Sequence, residues 1–371
     1  MKALILAGGL GTRLRPLSCT RPKILFPIAN VPLIDLTLER LASNSVVESV
    51  LAVNFMAEKL QHTLGCSKHG MKLTYSRDAP ISSSKQHAQR ALGTGGPVKQ
   101  AERILGSKEP FFVMNGDILS KANYAIMMEE HKSAGCVATI ALARVTNPSR
   151  YGIVKVGSNR RIESFIEKPV SQAGSALVNA GIYVFEPEIF DYIPVNKKCS
   201  LERAVFPRLA DEGRLLGYKI ENLWVDVGKP EDYIVGNKLW IKASGISAIP
   251  RAVIDSRVQI EDAVAIDEGV TLGEESILGP NLSLGKGVRV GKRVLIRDSI
   301  VFPNTIISNS ATIEGSIIGE SVTIERDVKI KGGCLIGDNA LIQEGITLPK
   351  NVKICPSVTI SESVEESHCM T

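Results

Sequence analysis

Four constellations in the first 230 residues carry side chains that could handle phosphate. The first is LILAGGLGTRLRPL at residues 4–17, an apolar run that breaks into Gly8, Gly9 and Gly11 and then into Thr12 and Arg13, with Lys23 following behind Pro22. Glycines let a backbone approach a ligand closely and donate N–H groups to it, and the two cations bring charge to phosphate oxygens. The spacing is not the G-x-G-x-x-G of a dinucleotide turn, which holds a pyrophosphate intact; arginines beside the glycines imply that more negative charge is handled here. The second is Asn115-Gly116-Asp117 after the apolar FFVM. A carboxylate in that position can hold Mg²⁺ with substrate phosphates completing the shell, and an Asx turn is the plainer alternative. The third, WVDVG at 224–228, sets Asp226 between apolar residues, where a buried carboxylate needs a cation or metal unless the strand edge leaves it in water. The fourth comprises FIEKP at 165–169 and NAGIYVF at 179–185. There Glu167 could accept from sugar hydroxyls and Lys168 could meet a phosphate as a point charge, although Glu-Lys pairs also occur on plain surfaces.

These residues need a scaffold, and the first 235 or so residues alternate strand-like with helix-like segments. Ala3–Ala7, Ser49–Asn54, Phe111–Met114, Ala138–Ala143, Ile153–Val156 and Ile182–Phe185 are continuous apolar runs of strand length, and Leu33–Ala42 has helical spacing. That alternation predicts a Rossmann-like, mostly parallel sheet covered on both faces, with ligands beyond the carboxyl ends of its strands. After about residue 245 the pattern changes. Aliphatic residues recur every sixth position from Ile254 to Ile296, break near Phe302-Pro303, resume at Ile307 and Ile313, slip, and run again from Ile318 to Ile360. This period fits neither helix nor plain strand and marks a parallel β-helix of hexapeptide repeats with roughly six triangular coils. The expected organisation is therefore a first domain over residues 1–235, a linker over 236–250, a β-helix over 251–365 and a tail over 366–371.

At 371 residues, two domains are the prior expectation. The net charge of +5 is uneven: residues 249–365 carry 12 Lys and Arg against 16 Asp and Glu, which leaves about +10 on residues 1–248. A basic first domain suits a polyanion, and aromatic residues at 5% with no stacking pattern favour a small one over nucleic acid. Seven scattered cysteines without a C-x-x-C spacing point to reduced thiols in a cytoplasmic setting. The apolar start is too short for a secretory signal, and no run reaches the length of a membrane span.

In this order, GGxGTRLxPL…RPK, LGTGG at 92–96, NGD, EKP, NAGIYVF and WxDxG resemble the nucleotide-sugar pyrophosphorylases (sugar-1-phosphate nucleotidylyltransferases) over nearly the whole chain, and most of all their mannose-1-phosphate guanylyltransferase branch. The resemblance implies that the β-helix is left-handed, and the flat faces of such a coil suit stacking against a second copy, so self-association through it is expected. It also implies transfer of a nucleoside monophosphate from an NTP, GTP in that branch, to a sugar 1-phosphate, with Mg²⁺ as cofactor. Carried over by position, Leu6, Ala7, Gly8, Gly9, Gly11, Thr12 and Gly93 would bind base and ribose. Arg13 would hold the outer phosphates and Lys23 the α-phosphate. Asp117 and Asp226 would ligate Mg²⁺, and Gly152, Glu167, Lys168 and Asn179 would grip the sugar phosphate. A sugar phosphate is already an anionic nucleophile, so no general base is required, and the five histidines form no constellation. The chain departs from the family at Gly95, commonly alanine, and in the polar stretch SRDAPISSSKQHAQRA at 76–91, which in the family borders the base pocket. Alternatives of the same layout are a UTP- or dTTP-dependent glucose-1-phosphate enzyme, a bifunctional acetyltransferase and a non-catalytic assembly subunit. Residues 249–365 lack the histidine that family acetyltransferases use, and intact Arg13, Lys23, Asp117 and Asp226 argue against a purely structural role.

Overall fold

The computed structural model describes residues 1–77, 92–106, 108–169, 174–245, 253–254, 257–364 and 369–370; most of the polar stretch at 76–91 lies outside them. By contacts the chain divides into two units. One comprises Met1–Gly9 with Ile34–Trp224, the other Leu10–Leu33 with Val225–Thr371.

The first unit is built on a sheet of strands β1 (Lys2–Leu6), β2 (Glu48–Val53), β3 (Met71–Arg77), β4 (Phe111–Asn115), β5 (Ala138–Val145), β6 (Gly152–Val156), β7 (Ile162–Glu167), β8 (Ala176–Phe185) and β9 (Leu215–Lys219). Parallel pairing runs β4–β1–β2–β3. On the other side of β4 the sheet turns antiparallel: β8 pairs with β4, β5 and β6, and β6 with β7, while β9 lies parallel to β5. The apolar runs read as buried strands have that burial, with Ala3, Leu4, Ile5, Phe112 and Val113 fully enclosed. Helices α1 (Leu33–Ala42), α2 (Ala57–Leu64), α3 (Gly95–Gln100), α4 (Tyr124–Ala134) and α5 (Phe206–Asp211) accompany the strands. Asn123 caps α4 by accepting from the Ile126 N–H at 3.1 Å. His131 on α4 is wholly enclosed, with Nδ1 2.8 Å from Thr139 Oγ1. Burial, then Lys132, pushes its pKa down to about 4, so it packs as a neutral ring.

In the second unit three sheets of short parallel strands form the β-helix, as expected for a left-handed hexad coil. The first face runs from Val253–Ile254 to Thr359–Ile360, the second from Gln259–Ile260 to Thr347–Leu348, and the third from Val264–Ile266 to Cys369–Met370. The hexad residues point inward into one continuous core, with Leu278, Leu284, Ile296, Ile313 and Ile342 fully buried. Each such aliphatic contributes roughly 1.5–3 kcal/mol of burial. The break in the hexad pattern has a simple cause. Thr271 pairs with Arg289 and Leu341 with Thr359, coils of 18 residues, but Ser283 pairs with Ile300 and Ile300 with Ile317, coils of 17. A residue is dropped at the corner before the third face, so Val301 and Ile318 take the inward positions. The corners need left-handed backbone, supplied mostly by Asn, Asp, Ser and Gly, such as Asn281 (φ 58°), Asp298 (φ 49°) and Gly287 (φ 70°).

The third face differs from the other two. Its outward-pointing residues Ala265, Ser283, Ile300, Ile317 and Leu335 are buried to 1% exposure or less, whereas Arg289 and Ile306 on the first face are open. Helix α6 (Pro230–Ser244) and residues 20–30 lie against it. Asn237 on α6 donates to Ser283 Oγ at 2.8 Å and accepts from the Ala29 N–H at 2.6 Å. Phe26 packs on Tyr233 and Phe302 with ring centroids 5.6 and 5.7 Å apart, and the Tyr233 hydroxyl donates to the Pro27 carbonyl. The stretch expected as a linker, 236–250, thus opens as the latter part of α6; residues 246–250 lie outside the described ones.

Candidate functional site

In the first unit the glycine-rich segment leaves the carboxyl end of β1. The Gly116 N–H donates to the Leu6 carbonyl at 3.0 Å, and Leu6 pairs with Asn115 on β4. Ala7 therefore follows β1 next to the Asn115-Gly116 turn at the end of β4. Ala7 N–H donates to Ala52 at 2.9 Å, and a Cβ on Gly8 would come 3.3 Å from the Asn54 amide. Gly93 has φ +75°, and a Cβ there would lie 2.3 Å from the Cys199 carbonyl oxygen, so no other residue fits. The same loop is knitted to 199–202. Gly95 N–H donates to the Cys199 carbonyl at 3.0 Å, and the hydroxyls of Thr94 and Ser200 both donate to Glu202 at 2.6 Å.

The residues expected to grip a sugar phosphate sit on the antiparallel side. Gly152 pairs with Glu167 across β6 and β7, and Asn179 is on β8. Its Oδ1 accepts from Gly181 N–H at 2.9 Å and its Nδ2 donates to the Tyr183 hydroxyl at 3.0 Å. Lys168 takes a left-handed φ of 48°, and its ammonium lies 3.2 Å from the Glu167 carboxylate. The enclosed Tyr183 joins these residues electrostatically to the β4 end. Burial, followed by the fields of Glu202, Glu167 and Asp117, raises its pKa well above the ordinary tyrosine value, with the Asn179 hydrogen bond opposing.

A Cβ on Gly152 would meet Phe165 Cζ at 2.6 Å and Glu167 Oε2 at 2.8 Å. The Gly152→Ala variant is therefore expected to fold but to displace the Glu167 carboxylate. KM for the sugar phosphate should rise about 10-fold or more with KM for the nucleotide little changed. Steady-state kinetics against each substrate checks this, and an unchanged sugar-phosphate KM removes Glu167 from the site.

The second unit holds the remaining candidates. Gly11, with φ +60°, caps the 3₁₀ turn Thr12–Leu14, and its carbonyl accepts from the Ser18 hydroxyl at 2.8 Å. A Cβ on Gly11 would lie 3.2 Å from that of Ser18 and 3.5 Å from that of Lys23, so the glycine permits the loop to close on itself. Leu14 and Leu17 are buried anchors, while Thr12 and Arg13 are exposed. Lys23 opens another 3₁₀ turn, Lys23–Leu25, in which Phe26 N–H donates to the Lys23 carbonyl at 2.9 Å. Asp226 ends strand β10 (Trp224–Asp226) half-buried, and Gly228 N–H donates to its carbonyl at 2.8 Å.

Sequence reasoning passed over three residues. Glu202 lies in a π-helical turn, Leu201–Val205, a feature frequent at functional sites but without a sequence signal here. Thr94 stood inside LGTGG without a role. Gly181 has φ +71°, and a Cβ on it would come 2.7 Å from the Asn115 amide; the glycine in NAGIYVF was its signal.

Asp117 in the first unit and Asp226 in the second are each a half-buried carboxylate at a strand end, and each offers oxygen donors of the kind a hard cation takes. No group of three or more His, Cys, Asp or Glu that could hold a metal occurs among the described residues. A metal on either carboxylate would take most of its ligands from water and phosphate, which is how Mg²⁺ is ordinarily held.

Comparison with known proteins agrees with this layout. The Nucleotidyl transferase family matches residues 2–242, and the family described as GMPPB C-terminal domain matches residues 260–370. Mannose-1-phosphate guanyltransferase 2 of Candida glabrata is 37% identical over 270 residues, 69% of this chain and 72% of that protein. Probable mannose-1-phosphate guanylyltransferase 1 of Oryza sativa subsp. japonica is 40% identical over 246 residues, 65% of each chain. The crystal structure of HddC from Yersinia pseudotuberculosis superposes with a TM-score of 0.53 at 25% identity, covering 64% of this chain and 99% of that one. With the signature loop, the NGD turn and the EKP strand end all in the matched region, the chain belongs to the nucleotidyl transferase family.

Proposed function

We propose that the protein transfers GMP from GTP to mannose 1-phosphate, forming GDP-mannose and releasing pyrophosphate. The observation that carries this reading is the match of both segments of the chain, the second to a GMPPB C-terminal domain. The names of the C. glabrata and O. sativa relatives point to the same substrates.

In the reaction an oxygen of the sugar phosphate attacks the α-phosphorus of GTP. The new P–O bond forms as the bond from the α-phosphorus to the bridging oxygen breaks, and the electron pair leaves with pyrophosphate. The nucleophile is already ionised, so the protein has only to position two polyanions in line and neutralise the charge that develops. Leu6, Ala7, Gly8, Gly9, Gly11, Thr12 and Gly93 are assigned to base and ribose, backbone groups that approach without side-chain bulk. Arg13 is assigned to the β- and γ-phosphates, where a guanidinium can bind two oxygens and follow them into the leaving group. Lys23 is the point charge at the α-phosphate. Gly152, Glu167, Lys168 and Asn179 hold the sugar phosphate. Nucleotidyl transferases generally use a divalent metal, and Mg²⁺ held by Asp117 and Asp226 would neutralise phosphate oxygens when bound. Self-association through the β-helix belongs to the same reading. No described helix is long and apolar enough to cross a membrane, and a cytoplasmic setting is part of the proposal.

The test is pyrophosphate release with each of five NTPs against a panel of sugar 1-phosphates, with and without Mg²⁺. The highest kcat/KM is expected for GTP with mannose 1-phosphate in Mg²⁺. A higher value with UTP or dTTP and glucose 1-phosphate overturns the substrate assignment. Absence of release with every pair overturns the enzyme reading and favours an assembly role.

A further inference from the structure

The β-helix holds Lys23 from both sides. Two residues before Lys23, the Arg21 guanidinium is 12% exposed and reaches two β-helix carboxylates through one nitrogen, Nη2: Asp338 Oδ2 at 2.7 Å and Glu320. Its plane lies over the Phe302 ring, 5.0 Å from the centroid. Thr20 Oγ1 donates to the same Asp338 oxygen at 2.7 Å. The other oxygen, Oδ1, accepts from the Glu320 N–H at 2.8 Å, so the carboxylate is fixed in one orientation. Gly319 is a glycine because a Cβ there would lie 2.6 Å from Asp338 Oδ1. Three residues after Lys23, Phe26 is enclosed between Tyr233 and Phe302. Between these anchors lie only Pro22, with its φ held near −59°, and one 3₁₀ turn. Gly11 and Ser18 then close against Lys23 from the other direction. Burial works against the Arg21 charge, and the two carboxylates more than compensate, leaving its pKa raised.

We infer that Asp338 is a positioning residue for the nucleotidyl transfer: through Arg21 and Thr20, a corner of the β-helix sets the backbone from which Lys23 reaches the α-phosphate. The inference rests on the assignment of Lys23 to that phosphate. It gives the β-helix a part in the chemistry in addition to assembly, since in-line transfer is sensitive to displacements of about 1 Å.

Asp338→Asn is the informative variant. Its shape is retained and its oxygen can still accept from Glu320 N–H, but its amide then confronts the Arg21 and Thr20 donors with donors of its own. Expected is a kcat lower by roughly 10- to 100-fold, with both KM values within about 3-fold of wild type. Arg21→Gln should give the same pattern. In a Lys23→Ala background Asp338→Asn should cost nothing further in kcat, because the residue it positions is gone. Arg326→Ala, which breaks the Arg326–Glu344 pair elsewhere on the β-helix, should leave kcat unchanged. Three results overturn the inference: wild-type kcat in Asp338→Asn, losses that multiply in the double variant, or an equal loss in Arg326→Ala. Wild-type kcat in Lys23→Ala alone is a different outcome, and it removes the assignment of Lys23 itself. Thermal melts of each variant identify loss by unfolding, and a melt that accounts for the whole loss in kcat also overturns the inference.

Discussion

Replacing Lys23 by alanine is expected to lower kcat by about 10²- to 10³-fold, the scale of removing one preorganised charge-stabilising group from a transition state. The structure says why the loss should fall on kcat and not on folding. Lys23 is half-buried; its carbonyl accepts from Phe26 N–H at 2.9 Å, a main-chain bond that alanine keeps, and burial in the turn is supplied by Ile24 and Leu25. Alanine retains the helical turn and removes the side chain beyond Cβ, its ammonium included. An interaction realised mainly as charge builds at the α-phosphorus leaves KM for GTP close to wild type. Steady-state pyrophosphate release with a thermal melt on the same sample decides it. A melt near wild type with unchanged kcat removes Lys23 from the chemistry. Lys23→Arg separates charge from shape: partial recovery is expected, because a planar fork replaces a compact point charge.

The second large effect is expected at the carboxylates. Asp117→Asn and Asp226→Asn should each lower kcat by about 10²-fold or more and raise the Mg²⁺ concentration at half-maximal rate by about 10-fold or more. Asparagine keeps the shape of the Asp117 side chain and one accepting oxygen while removing its charge, so Asp117→Asn is expected to fold and to melt near the wild-type temperature while losing activity. Metal titration of the rate and a melting curve check both halves. A wild-type metal dependence in either variant removes that residue from the metal site, and a clear drop in melting temperature for Asp117→Asn assigns it a structural role.

Much of this could be read before any coordinates, for identifiable reasons. β1 and β4 show as unbroken apolar runs because strands buried on both faces have no polar side, and α1 was delimited to the residue. The hexads show because every inward position of a narrow coil must be aliphatic. The dropped residues before Val301 and Ile318 also showed, as slips in the pattern, but their meaning depended on pairing: only strand register reveals that the coil shortens from 18 to 17 residues. On the antiparallel side β5 and β6 showed as apolar runs, but β8 showed only at Ile182–Phe185, because its first half carries Asn179 where an apolar run would be needed. Glu202 was invisible, since its importance comes from two hydroxyls, one of them 108 positions away. The attachment of residues 20–30 to the β-helix was hidden too. Arg21 reads as one more basic residue in a basic segment until its carboxylate partners, at 320 and 338, are known.

That attachment has a consequence for how the molecule is made. Arg21 and Asp338 are 317 residues apart, and at 5–20 residues per second a ribosome needs roughly 15 to 60 s to cover that interval. The strands that Met1–Gly9 and Ile34–Trp224 contribute can pair long before then, while the loop bearing Arg13 and Lys23 still lacks the surface that fixes it. On the proposed reading, a chain that stops short of the final coils would carry Arg13 and Lys23 without the Asp338 carboxylate that anchors their segment through Arg21.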